Sequence, residues 1–197
     1  MADRVDTTNY QKFQTKNPVV RRMFEAFFAK LANEVEDARP RSLLDAGCGE
    51  GESLERLRPV LPDRVAGFDL NQESVDFAAK RLPEYTFSVE NIYELPFADN
   101  AFDVVMCCEV LEHLDDPGAA LRELGRVAKR RLILSVPHEP WFQLGSLARG
   151  KYVSTLGNHP EHINHWNPQT FREFLRDNGM QKTRIGTAFP WIVASCR

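Results

Sequence analysis

Apolar residues in this chain alternate between short continuous runs and longer stretches in which they recur every three or four positions. Short apolar runs bounded by glycine, proline or asparagine are typical of buried strands. The wider spacing is typical of helices that bury one face. The pattern therefore predicts an α/β fold of one domain, residues 1–197, with a doubly wound, mostly parallel sheet and helices on both of its faces.

The first element is a helical cap, residues 1–38, whose helix begins at Asn17 and Pro18. An asparagine side chain accepts the first free N–H groups of a helix, and proline fits its first turn. The predicted strands are residues 41–46, 65–70, 86–89, 102–109, 131–136, 181–188 and 191–196. The predicted helices between them are residues 51–60, 72–81, 118–128 and 168–178.

Residues 138–167 make a longer connection than an α/β unit needs between a strand and its helix. Four of the five histidines lie in it, together with Trp141, Phe142, Leu144, Leu147 and Trp166. We expect this segment to overhang the carboxyl edge of the sheet as a substrate lid, with apolar side chains in its wall. Packing of a short helix is the alternative interpretation of the same apolar residues.

The first strand ends in an acid and runs into a glycine-rich turn, which contains Gly47, Gly49 and Gly51. Glycines let the backbone approach a ligand closely, and the helix start behind them leaves N–H groups free. A dinucleotide fingerprint needs a glycine where this chain has Glu52, which argues against a nicotinamide oxidoreductase. The acids Asp45, Glu50 and Glu52 repel a pyrophosphate and favour a ligand with a cationic centre.

The second strand ends in Asp69, roughly twenty residues after the turn, where nucleotide-binding α/β units place a carboxylate for ribose hydroxyls. With these features the chain resembles the class I S-adenosylmethionine-dependent methyltransferases, in the group of small single-domain enzymes that includes the quinone-biosynthesis methyltransferases. The resemblance implies a Rossmann-like fold with an antiparallel last strand and S-adenosylmethionine as cofactor. It assigns the methionine part of the cofactor to the glycine turn and the ribose hydroxyls to Asp69.

Two further segments are similar to family motifs. Residues 90–103 resemble the stretch in which an acid accepts a bond from the adenine amino group; Asn91 stands there, and its amide carbonyl can still accept. Residues 109–114 resemble the family's Glu-Val-Leu-Glu-His segment beside the methionine end. The cofactor-binding residues that the resemblance implies are Asp45, Gly47, Cys48, Gly49, Asp69, Leu70, Asn91, Ile92 and Glu109.

Histidines supply the candidate catalytic groups. Because imidazole titrates near neutrality, we predict that the general base is one of His113, His162 and His165. We do not predict that any residue binds a metal. One alternative stays open. Glu109 and Glu112, taken with these histidines, look like the metal set of magnesium-dependent O-methyltransferases that act on RNA 3′ ends and on catechol-like quinone precursors, where a metal would lower the pKa of a bound hydroxyl.

The sequence thus predicts an S-adenosylmethionine-dependent methyltransferase that acts on a small or lipid-like acceptor, with oxygen favoured. The formal net charge of -3 argues against a nucleic-acid partner. It also argues against one alternative, a metal-dependent RNA-end 2′-O-methyltransferase. The clusters Arg21–Arg22 and Lys129–Arg131 are interpreted as solvated surface. A protein that binds the cofactor without catalysis is the second alternative.

Location follows from what the sequence lacks. The four cysteines show no C-x-x-C spacing, as expected of reduced thiols in the cytoplasm. No apolar run is long enough to cross a bilayer, and no secretion signal is evident. We therefore expect a cytoplasmic protein, with peripheral membrane contact through the lid left open.

Overall fold

The computed structural model describes residues 13, 15–139, 141 and 162–197. The helices are α1 Pro18–Ala38, α2 Glu52–Leu57, α3 Gln72–Arg81, α4 Pro117–Val127 and α5 Pro168–Asp177. The strands are β1 Ser42–Ala46, β2 Arg64–Asp69, β3 Thr86–Val89, β4 Phe102–Cys108, β5 Ala128–Pro137, β6 Arg184–Ala188 and β7 Trp191–Cys196. Short 3-10 turns follow α2 at Arg58–Val60 and β4 at Leu111–His113.

Seven strands of the described chain form one sheet in the order β3-β2-β1-β4-β5-β7-β6. Every neighbouring pair is parallel except β5 with β7 and β6 with β7, so β7 alone runs against the others. The predicted α/β architecture and its antiparallel last strand are confirmed. Because β1, β2, β4 and β5 are parallel, their carboxyl ends meet at one edge, which we call the carboxyl edge.

Some element bounds differ from the prediction for local reasons. The α-helix predicted over residues 51–60 ends at Leu57 and gives way to the 3-10 turn Arg58–Val60, because Pro59 has no N–H to continue the α-helical hydrogen bonds. Strand β5 begins at Ala128, three residues before the prediction, since Ala128 already pairs with Phe102 in β4. Strand β6 begins at Arg184, because Lys182 takes a positive φ of 51° and interrupts extended backbone.

Apolar side chains fill a core on each face of the sheet. Helix α1 covers one face: its Phe24 and Phe27 rings lie 5.3 and 4.8 Å from the Trp191 ring on β7. Asn17 begins this helix by accepting the N–H of Val19 at 2.9 Å. At the other end, Glu34 accepts a 3.0 Å hydrogen bond from Arg184, which ties the helix to β6.

The cap helix occupies Pro18–Ala38 as expected, whereas most residues before it lie outside the described chain. The lid prediction falls largely outside as well: of residues 138–167, the structure describes 138, 139, 141 and 162–167, so Phe142, Leu144 and Leu147 cannot be placed. No helix in the described ranges is both long enough and apolar enough to span a bilayer.

Candidate functional site

The glycine turn connects β1 to α2 at the carboxyl edge. The N–H groups of Gly47 and Cys48 both donate to the Phe68 carbonyl of β2, at 2.8 and 2.9 Å, which fixes the turn on the neighbouring strand. A side chain at Gly47 would collide with Val110, so this glycine is needed for packing. Gly49 differs, because a Cβ there would meet nothing within 4 Å. The turn therefore presents open space at Gly49, which is where a ligand can approach the backbone.

Asp69 lies at the end of β2 and faces this turn. Its Oδ2 accepts the Gly49 N–H at 2.9 Å, and its Oδ1 accepts the Asn71 N–H at 3.0 Å. Each bond uses one lone pair, so both oxygens can accept a further donor such as a hydroxyl. The glycine turn and Asp69, which lie about twenty residues apart along the chain, are thus in direct contact.

Asp45 lies at the end of β1, beneath the turn, and is only 2% exposed. Its Oδ2 is buried and has no hydrogen-bond partner within the described residues. Burial, and secondarily the charge of Asp69, raises the pKa of Asp45 to about 7. A ligand bearing an ammonium would supply both a donor and an opposite charge to this oxygen.

The other acids near the turn do not contribute in the same way. Glu52 was expected to help attract a cationic ligand, but its carboxylate pairs with Arg56 at 2.7 Å and Arg81 at 2.8 Å. That expectation is wrong for Glu52, because two guanidinium groups already neutralise its charge. Glu50 is buried, and its main-chain carbonyl accepts a bond from Arg81. Among the ion pairs of the described residues, arginines pair with Glu52, whereas none pairs with Asp45 or Asp69.

The remaining cofactor candidates lie along the carboxyl edge. Leu70 is 76% exposed just after β2, whereas Ile92 is buried. The Oδ1 of Asn91 accepts the Tyr93 N–H at 3.0 Å, which leaves one lone pair on that oxygen and the amide NH₂ group available. Burial raises the pKa of the Cys48 thiol, and its Sγ lies 3.6 Å from the Gly49 carbonyl, so this cysteine is a packing residue of the turn.

Glu109 follows β4 with a positive φ of 59°, a conformation that is uncommon for a residue with a side chain. Its carboxylate accepts the indole N–H of Trp191 at 2.7 Å and the Ser135 hydroxyl at 3.2 Å. The carboxylate is thus directed toward β5 and β7. Nothing in the sequence spacing indicated either partner, since Trp191 lies 82 residues away along the chain.

Three further side chains come together beyond β4. One carboxylate oxygen of Glu112 and one ring nitrogen each of His113 and His162 lie within 4.8 Å of one another. The two rings are 4.9 Å apart, edge to face. Donor atoms of these types at such distances can hold a divalent cation after small side-chain rotations. Glu109, which the metal alternative included, is not in the group, and His165 instead has its Nδ1 3.8 Å from Glu139.

A short segment, residues 162–166, brings the second histidine to this position. The Glu112 carbonyl accepts the N–H groups of Ile163 and Asn164, at 2.9 and 3.1 Å. The Asn164 side chain then donates to the carbonyls of Leu111 and Leu114, at 3.2 and 2.7 Å. Asn164 is a positioning residue that the sequence analysis missed, because a single asparagine between histidines carries no recognisable signal.

Comparison with known proteins shows what this arrangement is similar to. A family model described as a methyltransferase domain matches residues 44–135. A probable S-adenosylmethionine-dependent methyltransferase of Mycolicibacterium smegmatis is 32% identical over 126 residues, which cover 63% of this chain and 48% of that protein. Ajmaline N-methyltransferase of Rauvolfia serpentina is 32% identical over 117 residues, covering 56% of this chain and 40% of that protein. The chain thus spans less than half the length of these relatives.

Among solved structures, the chain is similar to magnesium protoporphyrin IX methyltransferase from Synechocystis PCC 6803 with bound SAH. The TM-score is 0.68 at 21% identity, and the superposition covers 97% of this chain and 94% of that one. This likeness shows a shared fold over nearly the whole length. Residues 44–135 thus match a methyltransferase domain, and the relatives and the shared fold support a class I S-adenosylmethionine-dependent methyltransferase.

Proposed function

We propose that the chain transfers the methyl group of S-adenosylmethionine to an oxygen atom of a small or lipid-like acceptor. The observation that carries the proposal is the buried Asp45 oxygen, which has no partner among the described residues, below a turn that is open at Gly49. The cofactor's methionine part carries an ammonium, which suits that oxygen in charge and in hydrogen-bonding capacity. The residues present therefore fit the cofactor.

Asp69 holds the ribose in this proposal. The Gly49 and Asn71 N–H groups fix the orientation of its carboxylate and leave lone pairs for two hydroxyls. Gly47 and Cys48 shape the turn beside the methionine part. Leu70, Asn91 and Ile92 surround the adenine, with the exposed Leu70 offering a face for the ring. Glu109 contributes through its main chain, since its carboxylate is bound by Trp191.

The cofactor supplies a methyl group that its sulfonium already activates. The chain has to align the acceptor with that methyl group and remove the acceptor's proton. His113 and His162, beyond β4, are the proposed general bases, and His165 beside Glu139 is the third candidate. A hydroxyl acceptor needs such a base because it carries its proton until the methyl is transferred.

A second candidate is favoured by one specific observation, the close approach of Glu112, His113 and His162. In this version Glu112, His113 and His162 would hold a divalent cation, whose chemistry would be to lower the pKa of an acceptor hydroxyl. The same residues then act as ligands and not as bases. The reaction class is unchanged, but the histidines must stay deprotonated on the nitrogen that faces the cation.

The apolar character of the acceptor is proposed from aromatic side chains near the same edge. Trp141 and Phe189 are 49% and 55% exposed, with ring centroids 6.3 Å apart. Both rings lie near the carboxyl edge, because Trp141 comes shortly after the end of β5 and Phe189 shortly before the start of β7. An acceptor with an apolar body can cover these rings while its hydroxyl reaches the histidines.

Calorimetric titration with S-adenosylmethionine tests the cofactor site. Replacing Asp69→Ala should weaken binding by about a hundredfold, because two charge-assisted hydrogen bonds to the ribose are lost. Asp63→Ala is the matched control, since it removes an exposed carboxylate just before β2. Equal affinities for the two variants would contradict the ribose role of Asp69.

Incubation of the protein with methyl-labelled cofactor and fractionated cell extract tests the reaction. Label on an oxygen of an organic-soluble compound supports the proposal. Label in the RNA fraction supports the RNA-end alternative, and label on nitrogen rejects the choice of acceptor atom. Tight cofactor binding with no labelled product in any fraction supports a binding protein without catalysis.

A further inference from the structure

Cationic side chains lie close together at the amino edge of the sheet, where β5 and the strands parallel to it begin. This edge is opposite to the glycine turn. Two neighbouring cavities of about 450 and 400 Å³ lie there and share Gly179 and Met180 in their linings. The first cavity has three cationic side chains and the second has five. They are Arg172, Arg176 and Lys182 in the first, and Arg122, Lys129, Arg130, Arg131 and Arg197 in the second. The lining residues of the two cavities, which we call the cationic groove, include no aspartate or glutamate.

Most of this charge is not neutralised by the protein itself. Arg131 pairs with Asp37 at 3.0 Å, and Arg176 pairs with Asp177 at 2.8 Å. The other six cations form no ion pair with any described residue. Since the whole chain has a formal net charge of -3, the groove is a local reversal of the overall balance.

Neutral acceptors hold three of these arginines in place, one of which is Arg172, whose guanidinium donates to the Thr183 carbonyl at 3.5 Å. Arg122 donates to the Asn178 side-chain oxygen at 3.0 Å, and Arg130 donates to the Arg39 carbonyl at 3.3 Å. Such contacts limit the rotamers of a guanidinium without cancelling its charge. The side chains are therefore partly pre-organised for an anionic partner, which reduces the entropy that binding would cost.

The bottom of the groove is apolar. Gly125 on α4 lies close to Met180, since a Cβ at Gly125 would be only 3.0 Å from the methionine Cε. Ala128 and Leu132 of β5 line the same cavity. A strip of adaptable apolar surface thus lies between cationic side chains.

Two classes of anionic macromolecule fit a cationic groove, nucleic acids and acidic polypeptides. Sites for single-stranded nucleic acid combine basic residues with aromatic rings on which bases stack, and no aromatic residue lines either cavity. Arginine forks pair well with carboxylates, and the methionine-lined strip suits an aliphatic side chain. We propose that the cationic groove docks an acidic segment of a partner protein, in which carboxylates flank an apolar side chain.

This surface is independent of the methyl-transfer site. Strand β5 begins at Ala128 in the groove and ends at Pro137 on the carboxyl edge, so its length of about 30 Å separates the two. An acidic segment can dock while the glycine turn stays open to the cofactor. The proposal therefore holds or fails separately from the proposed function.

Fluorescence anisotropy with a labelled Glu-Glu-Leu-Glu-Glu-Leu-Glu-Glu peptide tests the proposal. The variant Lys129→Glu with Lys182→Glu reverses one exposed charge in each cavity and removes no hydrogen bond that the structure records. Lys16→Glu with Lys80→Glu is the matched control, because it makes the same change in net charge at exposed positions outside the groove. We expect the groove variant to bind the peptide about tenfold more weakly, and the control to change by less than about twofold.

Two further measurements complete the test. Affinity for S-adenosylhomocysteine and the thermal midpoint should match the parent protein in both variants, which shows that the fold and the cofactor site are intact. A single-stranded RNA of equal charge should bind more weakly than the peptide. Tighter binding of the RNA, equal losses in groove and control variants, or no peptide binding at low salt would each overturn the proposal.

Discussion

The indole nitrogen of Trp191 donates a 2.7 Å hydrogen bond to the carboxylate of Glu109. This bond links β7 to the end of β4 across the intervening β5. The same indole packs against Phe24 and Phe27 of α1. The orientation of Glu109, next to the proposed methyl-transfer site, therefore depends on the first helix and the last strand of the sheet.

Replacing Trp191→Phe should destabilise the protein by about 1–3 kcal/mol beyond the loss in packing, because a partly buried carboxylate loses its charged hydrogen bond. Urea unfolding of the single variants and of the double variant with Glu109→Gln measures the coupling between the two side chains. Glu109→Gln keeps an acceptor for the indole and is the milder change. Strictly additive effects would mean that the hydrogen bond contributes nothing to stability.

The raised pKa of Asp45 predicts how stability depends on pH. Its pKa is about 7 in the cofactor-free fold and near 3.8 for an ordinary aspartate, so the folded state holds the proton more tightly. The associated stability is present at low pH and is lost as pH rises through about 7. Between about pH 5.5 and 8.5 we expect Asp45 to lower the free energy of unfolding by about 2 kcal/mol. This dependence on pH should vanish in Asp45→Asn.

The same residue predicts a proton linkage in cofactor binding. An ammonium favours the charged carboxylate, so binding should release a proton from Asp45 at pH values below about 7. Calorimetry in buffers of different ionisation enthalpy measures that proton. Release that persists unchanged in Asp45→Asn would assign the proton to another group.

Gly49 and Gly179 allow a matched comparison of two glycines. Both have a positive φ, 49° and 87°, and a Cβ at either position would meet nothing within 4 Å. Alanine should cost each about 1–2 kcal/mol of stability through backbone strain. Only Gly49→Ala should also weaken S-adenosylmethionine binding, because its methyl group enters the open space at the turn. Calorimetry on both variants checks this, and equal affinities would place the cofactor elsewhere.

The group formed by Glu112, His113 and His162 predicts opposite results for its two roles. If the histidines are bases, turnover should persist in a chelator, and His162→Ala should lower it while cofactor affinity is unchanged. This is the outcome we expect from the proposed function. The metal-bound version would replace the general-base version if a chelator abolished turnover and magnesium restored it. Mn²⁺ binding should then be lost in His162→Ala and kept in His138→Ala.

Local patterns in the sequence predicted the α/β fold and the position of the glycine turn. Short apolar runs were enough to predict a mostly parallel sheet, and the acids that end two of them put Asp45 and Asp69 at the same edge. The antiparallel last strand was expected only from the resemblance to the methyltransferases. The contacts that sequence could not provide are side-chain contacts between distant segments. The Trp191–Glu109 bond, the neutralisation of Glu52 by Arg81 and the role of Asn164 depend on three-dimensional packing, which leaves no periodic signal.

The placement of β7 between β5 and β6 has a consequence for synthesis on the ribosome. Residues Trp191–Cys196 form β7, which leaves the ribosome after the other six strands of this sheet. Strands β5 and β6 cannot be joined before β7 has been made. A nascent chain that stops short of this strand leaves the edge of β5 exposed, and α1 lacks the indole on which it packs. Truncated products should therefore aggregate or be degraded, and none of them should accumulate as a partly competent enzyme.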